Sequence, residues 1–291
     1  MRRFASLSLA AWLALSVAGP AFANDTAMHP GAYGPEPVGG GITGKESVIR
    51  MVKEHLDIRY GRKATTVTVT FTFRNTLKTA TAKQLLGFPD IAAAQTESGR
   101  RDPKGEAPWY YPQSDVTGPM QKVSTRVNGQ VVPTKLQYGF ISTEPNVPAW
   151  KPATPQTGHL MAWHVAWVSF PPGKDVTVQR HYTVQNGGTA VGINFFEYIT
   201  HTGNVWQGKI GELVADVTLA DGLTVNDLIF AGRPMPKGIT YSPVPDGLMT
   251  TPAYREWQVL APTRLRLRWK DFEPAIGGNR AGFQLTSPDG R

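Results

Sequence analysis

Glu197 and His201 stand four residues apart in the segment FFEYITHTG. A carboxyl and an imidazole held within reach of each other can share general acid and base work. On a helix that spacing places them on one turn. On a strand they share a face but stand about 13 Å apart, too far to touch. They are the best acid–base pair that local spacing suggests, and a structural hydrogen bond or a solvated pair is the more common use of such a pair. The other histidines are His29, His55, His159 and His164, with His181 further on. No H-x-x-x-H or H-E-x-x-H pattern occurs, and His159 and His164 fall on opposite faces of a strand. No metal site is expected. The chain has no cysteine, and it lacks a G-x-S-x-G elbow, a phosphate loop and a dinucleotide fingerprint, so no cofactor is expected. A pair of carboxylates for glycoside hydrolysis stays open, because such a pair need not be close in sequence.

Binding chemistry has two candidates. Trp109, Tyr110 and Tyr111 are consecutive aromatics in a long polar segment. They could form a platform for a sugar ring or a partner protein, or fold back over an open sheet edge. Arg264, Arg266 and Arg268 recur at every second position, so a strand places all three on one face. That face is either simply solvated or an anion-binding stripe.

These residues need elements to position them, and the sequence reads as strands. Val67, Val69, Phe71 and Phe73 alternate with Thr66, Thr68, Thr70 and Thr72, the pattern of a half-buried strand. Leu56, Ile58 and Tyr60 alternate before it, and Gly61-Arg62-Lys63 predicts a hairpin turn between the two. Lys83 to Phe88 predicts a third strand. Asn128-Gly129 between Val123–Val127 and Gln130–Leu136 predicts a type I′ hairpin. His159–Phe170 and Val176–Gln185 are expected to pair across Pro171-Pro172-Gly173-Lys174. Trp163 and Trp167 then share a face, where core packing is the expected role of both. Glu212–Leu219, Asp227–Ala231, Arg255–Leu260 and Thr263–Trp269 predict further strands. The fold class is therefore all-β: an immunoglobulin-like β-sandwich over 46–186, with long loops at 90–122 and 139–158, and a second β domain over 187–291. Few or no long helices are expected.

Residues 1–23 read as a secretory signal. Arg2 and Arg3 precede an apolar run from Phe4 to Val17, and Ala21-Phe22-Ala23 is a small-x-small cleavage site before Asn24. About 14 apolar residues are too few to span a bilayer, and no later stretch is long and apolar enough. The expected compartment is the periplasm or the medium. Residues 24–45, rich in Gly and Pro, are expected to be a flexible leader or wrapping arm. Without Arg2 and Arg3 the chain has 28 Lys and Arg against 22 Asp and Glu, a net charge of +6. A basic surface suits anionic headgroups or acidic polysaccharide. Nucleic acid is not expected, for want of any recognition motif.

Three blocks carry a family resemblance. SVIRMVKEHLDIRYG, VTVTFTFRNT and LLGFPD together form the first; EYITHTGNVWQGKIGELVADVTL and LRWKDFEPAIG are the others. They resemble a family of uncharacterised bacterial exported proteins, a domain of unknown function, over roughly residues 45–278. The first block is also distantly similar to the β-sandwich of vault and inter-α-trypsin domains. The resemblance implies a β fold, an exported location and interaction rather than catalysis. The leading expectation is a non-enzymatic envelope protein that binds a partner protein or an envelope glycan through loop 90–122. The alternatives are a hydrolase of envelope polysaccharide, using Glu197 and a second acid, and a structural envelope protein without a ligand.

Overall fold

The computed structural model describes residues 24–32, 34–37, 47–90, 120–142, 151–152, 154, 159–189, 192–230, 254–274 and 280–288. Seventeen strands run in chain order: β1 Thr26–Gly31, β2 Gly34–Pro37, β3 Ile49–Tyr60, β4 Ala64–Asn75, β5 Ala82–Asp90, β6 Gln121–Val127, β7 Gln130–Val131, β8 Lys135–Ser142, β9 Lys151–Pro152, β10 His159–Phe170, β11 Asp175–Gln185, β12 Gly187–Thr189, β13 Ile193–Ile199, β14 Ile210–Leu219, β15 Trp257–Ala261, β16 Arg264–Phe272 and β17 Gly282–Pro288. Short 3-10 turns are the only helical pieces among the described residues. The fold is all-β, and its three sheets are consistent with two β domains.

A large sheet has the order β15-β16-β14-β3-β4-β11-β6-β7, a second sheet β2-β1-β5-β10-β8-β9, and a small one β12-β13-β17. The alternation that predicts β4 also buries it: Val67, Val69, Phe71 and Phe73 are fully inside and the threonines between them are half-buried. One continuous core lies on the inner face of the large sheet. The second sheet covers part of it, through contacts such as Phe88–Tyr182 and Phe73–Phe170. The small sheet covers the rest, with Phe283 packed edge-on to Trp257 and Trp269. β14 runs parallel to β3, from Glu212 beside Lys53 to Leu219 beside Tyr60. The large sheet therefore draws strands from both sides of residue 187.

The structure differs from the sequence reading in four places. First, β10 and β11 do not pair. β10 joins β5 and β8, whereas β11 joins β4 and β6. The Pro171–Lys174 link carries the chain from one layer to the other, so both strands turn apolar residues inward from opposite sides. Second, the described residues of the expected 24–45 leader, 24–32 and 34–37, include two strands, β1 and β2, while residues 38–45 lie outside the described residues. Pro35 and Pro37 sit in an edge strand, where a missing N–H leaves no ladder bond unmade. Third, residues 225–227 are a 3-10 turn and 228–230 carry no strand, against the strand expected there. Fourth, Trp163 is fully buried while Trp167, on the same face, is 51% exposed.

The start of this segment is clamped in the interior. Asn24, Asp25, Thr26 and Ala27 are all buried. Arg180 grips Asp25 with two N–H···O bonds of 2.8 and 3.2 Å, and neither side chain touches solvent. Trp206 Nε1 donates to the Asp25 carbonyl at 3.1 Å, and Thr202 Oγ1 donates to the Asn24 carbonyl at 3.1 Å. Burial holds the Asp25 carboxyl above its usual range, although the Arg180 guanidinium pulls in the opposite direction.

Candidate binding face

Period-two patterning sends one set of side chains on β3, β14 and β16 into the core and the other set outward. On β16, Leu265, Leu267 and Trp269 are buried, leaving Arg264, Arg266, Arg268 and Lys270 outside. On β14, Leu213, Ala215 and Val217 face in, with Glu212, Val214, Asp216 and Thr218 out. On β3, Leu56, Ile58 and Tyr60 face in; Lys53, His55, Asp57 and Arg59 face out. The strand register brings these three outer rows together as one polar surface with six Lys and Arg to three carboxylates.

β14 supplies acid between two basic rows. Arg266 makes a forked pair with Asp216 at 2.7 and 2.9 Å, and His55 Nε2 lies 3.1 Å from the same carboxylate. The Arg266 hydrogen bonds, aided by His55, hold Asp216 below the usual carboxylate range. Arg268 bonds Glu212 at 2.7 Å, and Lys53 Nζ lies 3.4 Å away on the other side. Burial pushes Glu212 up, but Arg268 and Lys53 prevail and hold it low.

Two shallow grooves lie side by side on this surface and share Asp216. One, of about 290 Å³, is lined by Lys53, His55, Glu212, Val214, Asp216, Arg266 and Arg268. The other, of about 330 Å³, lies around Arg59, Thr66, Thr68, Thr218 and Arg264. His55, Asp57 and Asp216 offer ligand atoms within 4.8 Å of one another. Arg266 already engages both oxygens of Asp216, so the set suits a cation poorly.

The arginine stripe stands where its spacing places it, on one exposed strand face. What its spacing could not reveal is that Glu212 and Asp216 neutralise two of its three members. Lys53, His55, Asp57 and Arg59 escaped the sequence reading as a site, although they alternate with Glu54, Leu56 and Ile58. Their pairing with β14, far along the chain, has no local signal.

Glu197 lies in β13 and His201 in the 3-10 turn that follows, where the structure describes only its backbone. Burial lifts Glu197 to about 7. Its neighbour Tyr198 points the other way and donates to Glu54 Oε1 at 2.5 Å. Burial raises Glu54 to about 8, against the Tyr198 hydrogen bond. The two high-pKa acids thus face opposite sides of β13. Trp109, Tyr110 and Tyr111 lie outside the described residues, as do Ala21 and Ala23. No helix among the described residues is long and apolar enough to cross a membrane.

No protein-family model matches the chain, and no protein of curated function matches it. Among solved structures, a proposed nutrient-binding protein from Legionella pneumophila is similar over 90% of this chain and 72% of its own, with a TM-score of 0.51 and 18% identity. An M1 zinc metallopeptidase from Deinococcus radiodurans matches 83% of this chain and 42% of its own, with a TM-score of 0.32 and 10% identity. The first likeness is one of fold; the second is too low to support any argument.

Proposed function

We propose that this chain is an exported, non-enzymatic binding protein of the cell envelope that takes a glycan or a partner protein on the outer face of its large sheet. The observation that carries this reading is the paired groove on β3, β14 and β16: open, polar, net basic, and built on rigid central strands rather than on a loop. A binding role is compatible with the fold shared with a proposed nutrient-binding protein. It also agrees with the resemblance to exported proteins whose sandwich implies interaction. The hydrolase alternative rests on Glu197, which holds a proton near neutral pH. It needs a second acid across a common pocket, and Glu54 lies on the opposite face of β13.

The test is retention of the purified protein on envelope fractions at rising ionic strength. Exposed charge pairs are screened by salt, so retention is expected to fall steeply between about 50 and 300 mM salt. Lys53→Glu with Arg264→Glu is expected to lower it at least tenfold while leaving the thermal midpoint within a few degrees. Equal retention of wild type and this variant would remove the sheet face from consideration. If replacing Trp109, Tyr110 and Tyr111 by Ala then abolished retention, the contact would lie in loop 90–122 instead.

A further inference from the structure

Resting on that reading, we infer that the second groove is a subsite for an anionic polyol, a sugar ring or polyol chain that bears a carboxylate or phosphate, with Arg59 and Arg264 clamping its anionic group. Thr218 of β14 is in register with Arg59 of β3 on one side and Arg264 of β16 on the other. Neighbouring strands lie about 4.8 Å apart, so the two arginine stems flank Thr218 across about 10 Å. Both side chains are exposed and line one groove of about 330 Å³ with Thr66, Thr68, Asp57 and Asp216.

The two arginines differ from the others on this face. Arg266 and Arg268 are committed to Asp216 and Glu212. Arg59 and Arg264 form no ion pair or side-chain hydrogen bond among the described residues. A guanidinium offers a planar fork that suits carboxylate or phosphate. Two such forks lining one groove on either side of Thr218 supply an anion clamp with its donors unspent.

The rest of the lining says what the anion must be attached to. Asp57 projects into the same groove and is 66% exposed. A bare inorganic anion would meet this carboxylate and be repelled. A sugar bearing one anionic group and several hydroxyls satisfies both ends, with the anion on Arg59 and Arg264 and a hydroxyl donating to Asp57. Thr66 and Thr68 add hydroxyls along the floor, tied to Thr183 at 3.1 Å and His181 at 2.9 Å. Asp216 also lines the groove, but Arg266 neutralises it. The shared chemistry is thus a carboxylate or phosphate on a polyol ring or chain.

The experiment is competition. Envelope-bound wild-type protein is challenged with oligogalacturonate, with its methyl ester, with oligo(glycerol phosphate) and with inorganic phosphate. Release by oligogalacturonate alone assigns a uronate, and release by oligo(glycerol phosphate) alone assigns a phosphate-bearing polymer. Either result supports the clamp if the neutral ester and inorganic phosphate are at least tenfold weaker. Arg59→Ala and Arg264→Ala should each weaken the effective competitor about tenfold, the loss of one charge-assisted contact. Arg126→Ala, on β6 of the same sheet, should leave it unchanged. Asp57→Ala should narrow the gap between the effective competitor and inorganic phosphate. Retention that none of the four compounds relieves, or that the Arg59→Ala, Arg264→Ala double variant does not alter, overturns the clamp and leaves the envelope-binding reading standing. Absence of retention by wild type overturns the reading itself.

Discussion

Glu54 is a carboxyl in an environment hostile to its charge. It is fully buried, its Oε2 has no hydrogen-bond partner, and its carboxyl is raised from 4.5 to about 8. The folded state therefore keeps a proton that the unfolded chain has already released between those values. Folded molecules bind more protons across that window, so stability falls as pH rises from about 4.5 to 8 and levels off above. The slope reaches at most about 1.4 kcal/mol per pH unit. Glu197, raised to about 7, adds to the same trend up to that pH. Glu54→Gln should flatten most of the dependence, read as urea midpoints at pH 5, 6, 7 and 8. A slope equal to that of wild type would mean Glu54 is ionised in the fold. The sequence hints at this burial only indirectly. Ile49 and Met51 face the core, then a bulge between Met51 and Lys53 shifts the parity. From there Glu54 joins Leu56, Ile58 and Tyr60 inside. Counting back from Leu56 puts Glu54 on the buried side; counting forward from Ile49 does not.

Among the elements, β1 depends on a contact that no local pattern discloses. Its Gly and Pro content signals a loop, yet Asp25 closes a buried ion pair with Arg180, 155 residues away. Removing one member of such a pair leaves a bare charge in the interior and costs about 3–5 kcal/mol. Asp25→Ala should lower stability by that amount in urea denaturation. Asp25→Leu with Arg180→Met, which removes both charges and fills their volume, should recover most of the loss. If Asp25→Ala alone proved neutral, β1 would not be anchored by this pair. Strands with strong alternation and local turns were legible: β3, β4, β6, β14 and β16 stand near their expected positions, and Asn128 and Gly129 take φ of 49° and 82°, as their hairpin requires. Partners across layers were not, because β10 and β11 are adjacent in sequence and belong to different sheets.

At the scale of the whole molecule, the parallel seam between β3 and β14 unites the chain. Gly211 lies at its start, where an added Cβ would come within 2.4 Å of the Val52 carbonyl oxygen. That oxygen is backbone and cannot swing aside. Gly211→Val should therefore destabilise by about 1–3 kcal/mol and open the seam to protease, with limited proteolysis cutting between residues 200 and 212 before other sites. Cleavage unchanged from wild type would show that the seam tolerates the displacement. The binding face spans this seam, so its acidic row on β14 and its basic rows on β3 and β16 meet only when the seam closes. That dependence explains why the arginine stripe was readable from spacing while its neutralisation by Glu212 and Asp216 was not.

The clamp on Asp25 also sets the order in which the chain can finish folding. Asn24 and Asp25 cannot lock until Arg180, Thr202 and Trp206 have arrived, and β3 cannot complete its outer ladder until β14 is present. Such long-range closures make for high contact order and folding on the millisecond-to-second scale. A chain that emerges N-terminus first thus carries its β1 residues unlocked through most of its synthesis. Those residues lock only once Trp206 has followed, so the oldest part of the chain is among the last to be fixed.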